Sequence, residues 1–71
     1  MMKRLTFLVN RGENDCFMIH GIDWATYREG ANWSELTEII KADVDKVFSG
    51  DTRPTHLDFK FADGTVISTV A

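Results

Sequence analysis

GANWSELTEIIKADVDKVFSG, residues 30–50, carries the strongest helical signal in the chain. Asn32 suits the N-cap, and Glu35 three residues on completes a capping-box pattern. At about 100° per residue, Trp33, Leu36, Ile40, Val44, Val47 and Phe48 fall in one apolar stripe. Glu35, Glu38, Ala42, Asp45 and Lys46 fall on the other side. Gly50 suits the position after the helix, and Pro54 stands where helices stop. A helix with one apolar stripe needs a sheet to lie on, so the flanking segments decide the architecture.

Upstream, Lys3 to Arg11 alternates as a strand, with Leu5, Phe7 and Val9 pointing one way and Thr6, Leu8 and Asn10 the other. Gly12-Glu13-Asn14-Asp15 has turn chemistry, and Cys16 to Gly21 follows as a second strand, apolar on both faces. A short third strand is expected over Ala25 to Glu29. Downstream, Leu57, Phe59 and Phe61 alternate with His56, Asp58 and Lys60 in the clearest period-2 pattern of the chain. Asp63-Gly64 is a strong hairpin turn, and Thr65 to Val70 returns as a fifth strand. The expected fold class is α+β, a two-layer β-β-β-α-β-β plate in one domain over residues 1–71. One helix packs on one face of a mainly antiparallel sheet, with strand order 3-2-1-4-5.

One helix of about 16 residues spans roughly 24 Å and covers one sheet face. Leu8, the outer face of the second strand and Ile67 are therefore expected to leave apolar side chains on the far face. Such a patch marks an interaction surface. Size points the same way. A domain of 71 residues buries only about 60% of its unfolded surface. A single cysteine, Cys16, offers no intramolecular staple. Self-association as a dimer or larger is the expected remedy.

Charge narrows the partner. The net charge is −3, and the basic residues are spread along the chain, which argues against nucleic acid and for a basic partner. Leu5 to Val9 is too short for the apolar region of a signal peptide, and no segment approaches the length of a membrane span. A cytoplasmic location is expected.

Catalytic patterns are weak. Cys16 and His20 share a strand face but stand about 13 Å apart, whereas a nucleophile–base pair needs about 3 Å. His56 and Asp58 share another face, without the spacing of a metal site. The glycines sit singly at turns and form no phosphate-binding loop. No catalytic, cofactor or metal residues are assigned. The candidate partner-binding residues are Glu38 and Asp45 on the acidic helix face, with Trp24 and Tyr27 as either core or interface aromatics.

Phe17-Met18-Ile19, Tyr27-Arg28-Glu29-Gly30 and Asn32-Trp33-Ser34-Glu35-Leu36 together resemble the HicB-like antitoxin family. Arg53-Pro54 before an alternating strand is similar to its short single-domain members. Two positions depart from the family pattern. Gly21-Ile22-Asp23-Trp24 replaces a Pro-rich segment before the third strand, and Asn32 replaces the usual cap Thr. The resemblance implies a cut-down RNase H-like plate that oligomerises. It also implies binding to a small basic ribonuclease toxin whose surface the plate occludes. The family's DNA-binding domain, and with it DNA binding, is not expected here. RNase H chemistry is not expected either, because the first strand offers no carboxylate for a two-metal site. The alternative is a stand-alone homo-oligomeric plate that binds another protein or a small ligand. An enzyme built on Cys16 is a third reading.

Overall fold

Leu5, Phe7 and Val9 alternate with outward residues, and that alternation forms β1 (Arg4–Arg11), the central strand of the sheet. The computed structural model describes residues 3–71. β2 (Phe17–Gly21) and β3 (Tyr27–Gly30) extend the sheet on one side. α1 (Trp33–Val47) then crosses, and β4 (His56–Phe61) and β5 (Val66–Val70) extend it on the other side. The order is β3-β2-β1-β4-β5, the order expected if the helix crossover delivers the fourth strand beside the first. β1 and β4 run parallel and the other three pairings are antiparallel, so the architecture is α+β with a mixed sheet.

Asn32 caps α1 from an extended conformation, its side-chain oxygen accepting the Glu35 N–H at 3.1 Å. This satisfies one of the helix's orphan donors. Leu36, Ile40 and Val44 of the stripe are buried against Leu5, Phe7, Val9, Ile19, Leu57 and Phe59. Each such side chain contributes about 1.5–3 kcal/mol on burial. Aromatic rings close the two ends of this layer. Trp33 lies 5.2 Å from both Phe17 and Phe59, and Trp24 lies 6.0 Å from Phe7 and 5.5 Å from Phe48. Arg28 of β3 grips Asp43 of α1 through two hydrogen bonds of 2.8 and 2.9 Å, fixing the helix over that edge.

Four local expectations are corrected. Val47 is 54% exposed: it occupies the last helical position, and the chain leaves the helix at Phe48, which packs on Trp24 in its place. Gly50 does not end the helix. It has φ +57 and opens a separate short 3-10 turn, Gly50–Thr52. The third strand starts at Tyr27 and not at Ala25. Residues 22–26 form a loop in which the Asp23 carboxylate accepts the Thr6 N–H at 2.8 Å, and the Gly21 N–H donates to the Thr26 carbonyl at 2.9 Å. Ile67 pairs with Phe59, so it lies on the helix side of the sheet and not on the far face.

Candidate interaction surfaces

The face of the sheet away from the helix follows from the registers. It carries Leu8 and Asn10 of β1 opposite His20 and Met18 of β2, with Tyr27 and Glu29 beyond them on β3. On the other side it carries His56, Asp58 and Lys60 opposite Val70, Ser68 and Val66. Among the described residues the expected bare apolar patch is therefore not there. Leu8 is exposed and Met18 half-buried, but charged and hydrogen-bonding groups divide them from Val66 and Val70. The cause is the parity of β4, which faces Leu57 and Phe59 to the helix and sends His56, Asp58 and Lys60 outward.

Asp58 organises the middle of this face. Arg4 donates to it through Nε at 2.8 Å and a terminal nitrogen at 3.0 Å, and the Ser68 hydroxyl donates at 2.7 Å. The Arg4 hydrogen bond, reinforced by that of Ser68, draws the Asp58 carboxyl down to about 2, and the same contact raises Arg4. Tyr27 closes the β3 side. Its hydroxyl donates to Glu29 at 2.7 Å, which raises the phenol, and its ring lies 4.6 Å from His20.

The four candidate partner-binding residues do not converge. Glu38 and Asp45 both project from the outer side of α1. Glu38 is open to solvent, with Lys41 at 3.9 Å, whereas Asp45 is engaged by Arg53. Trp24 is half-buried between Phe7 and Phe48 and belongs to the core layer. Tyr27 is exposed, on the opposite side of the sheet from the helix. A shallow depression on α1 does gather Ser34, Glu35, Glu38 and Ile39. Ile39, 43% exposed, adds an apolar side chain at one edge of this acidic surface. It lies outside the core stripe, so helical periodicity alone did not single it out.

The histidines are held apart. His20 lies opposite Leu8, and His56 lies opposite Arg4 on the other flank of β1. The strand rise and spacing place them roughly 16 Å from each other. Among the described residues, no three His, Cys, Asp or Glu side chains gather as a metal site. No described helix is long and apolar enough to cross a membrane. No family model, curated relative or solved structure matches this chain.

Proposed function

We propose that this chain is a non-enzymatic protein-binding module of the HicB-like antitoxin type, neutralising a small basic ribonuclease by occluding its RNA-binding surface. The observation that carries this reading is the acidic depression on the outer helix face, where Glu35 and Glu38 lie beside exposed Ile39. Carboxylates beside an apolar contact suit a basic protein surface: the charges steer the encounter and the adjacent apolar side chain anchors it. The β-β-β-α-β-β order and the helix capped at Asn32 support the same reading, since the resemblance implies that arrangement. The cut-down RNase H-like ancestry and a cytoplasmic location belong to this proposal.

The test is co-expression with a short basic protein encoded beside this gene, followed by co-purification and an RNA-cleavage assay. A complex that silences cleavage, and that weakens when Glu35 and Glu38 are both changed to Lys, supports the proposal. Unimpeded cleavage with no complex at micromolar concentrations removes it.

A second reading, a homo-oligomeric plate, is favoured by a different feature. β5 is an open sheet edge with no charged residue.

A further inference from the structure

Among the described residues the sheet has two open edges, β3 and β5, and they differ in chemistry. β3 is four residues long, and its outward edge is guarded by charge. The Phe17↔Gly30 register and the Gly21 N–H to Thr26 carbonyl bond turn the backbone groups of Thr26, Arg28 and Gly30 toward β2. Only Tyr27 and Glu29 present backbone groups outward, and their side chains are tied to each other. Arg28 and Glu29 line this edge, a common device against edge pairing.

β5 is the opposite case. Its sequence is Val66-Ile67-Ser68-Thr69-Val70, uncharged and rich in β-branched residues. The Phe61 N–H donates to the Thr65 carbonyl at 2.8 Å, and the Ala71 N–H donates to the Thr55 carbonyl at 3.1 Å. These two bonds fix the parity of the ladder: Ile67 and Thr69 turn their backbone groups toward β4. Val66, Ser68 and Val70 turn theirs outward, three N–H donors and three C=O acceptors on the unpaired side.

We propose that a second copy of this chain pairs with β5 in antiparallel register about a two-fold axis at Ser68, giving a continuous ten-stranded sheet. This deepens the self-association part of the reading above and is independent of the toxin. Parity selects the register. Ser68 faces its own copy, and Val66 faces Val70 of the other protomer twice, so all six outward groups are satisfied in hydrogen-bonded pairs. The other two positions pair Ile67 with Thr69 of the second copy on the helix side. Away from the Ser68 axis, side chains then match in kind, β-branched against β-branched, an arrangement that stabilises cross-strand pairs.

Charge selects the occupant. Each copy carries a net charge of −3, so two copies meet at low cost only where charge is absent or cancelled. β5 has none, and the ion pair next to it, Arg4 with Asp58, is neutral as a unit. A strongly basic partner finds no carboxylate on this strand to recognise. The symmetric pairing also puts both helices on the same face of the enlarged sheet, with Ile67, which is 40% exposed, on the floor between them.

Sedimentation velocity of the full chain at tens to hundreds of micromolar tests the association, with Ser68→Pro and Ser68→Ala as variants. Proline at 68 deletes an N–H that points away from β4, so the intramolecular ladder is kept. Far-UV circular dichroism and a thermal melt check that each variant folds. Ser68→Ala is expected to dimerise like the parent. Ser68→Pro removes the two bonds at the axis and is expected to weaken the dimer at least tenfold. Cross-linking then locates the seam. In a Cys16→Ser background, Ser68→Cys places two thiols about 5.5 Å apart at Cα, within disulfide range. Val66→Cys leaves them about 14 Å apart. Rapid oxidation of the first to a covalent dimer, and not of the second, is the expected result. A strict monomer overturns self-association altogether. A dimer that tolerates Ser68→Pro and gives no Ser68→Cys link overturns the β5 seam while leaving the oligomeric reading in place.

Discussion

Replacing Asp58 with Asn tests how much the outer face of the sheet contributes to stability. The Asp58 carboxyl falls from an ordinary 3.8 to about 2 because Arg4 and Ser68 both donate to it. A drop of about two pKa units corresponds to a ceiling of about 2.5 kcal/mol. Arg4 is 44% exposed, so solvent screening reduces the usable part to about 1 kcal/mol. The sign follows from linkage. A carboxyl with a lowered folded-state value contributes fully above its unfolded value, and the contribution is lost as pH falls through the folded one. Asp58→Asn is therefore expected to be less stable than the parent by about 1 kcal/mol near neutrality. This corresponds to roughly 4–8 °C in Tm for a domain of this size. The gap should stay flat down to about pH 5 and close between about pH 4 and pH 2. Urea melts of both proteins across that range provide the assay. A gap that is absent at neutral pH, or that persists unchanged to the acid end, would refute the ion-pair account.

Other substitutions probe single contacts. Asn32→Ala removes the acceptor for the Glu35 N–H; it should cost about 1 kcal/mol and speed amide exchange in the first turn of α1. Phe7→Ala empties a fully buried position stacked at 5.2 Å on Phe59; a loss of about 3–5 kcal/mol is expected to leave the chain largely unfolded by circular dichroism at 25 °C. Gly21→Ala would put a Cβ 2.4 Å from the Trp24 carbonyl oxygen and 2.7 Å from Thr26 Cγ2. The loop before β3 must shift, with a lower Tm and altered Trp24 fluorescence as the readout. Gly64→Ala forces a side chain into φ +95 at the β4–β5 turn; it should cost about 1 kcal/mol or more by thermal melt.

The strand order was legible because each segment carried a strong local pattern. Leu5-Phe7-Val9 and Leu57-Phe59 alternate without interruption, and Asn32 marks the helix start from sequence alone. Features that depend on partners were not legible. Val47 belongs to the apolar stripe by angle but ends up exposed at the last helical position. The face to which Ile67 belongs depends on the register set through the Asp63-Gly64 turn, where Asp63 accepts the Thr65 N–H at 2.8 Å. Trp24 looked equally suited to a core or an interface until the placement of Phe48 beside it decided for the core. The candidate surface was only half readable. Glu38 and Asp45 stood out as outer-face acids, yet the Arg53 partner of Asp45 lies beyond the helix, and Ile39, outside the core stripe, is left 43% exposed.

The parallel pairing of β1 with β4 joins segments some fifty residues apart. While the protein is being made, the first strand emerges long before its neighbour exists. One flank of its backbone stays unpaired, and Phe7 lacks the ring it finally stacks on, until β4 has been synthesised. Completion of the sheet must then wait for β4. An early stop anywhere before His56 would release a fragment whose centre is open to any strand it meets.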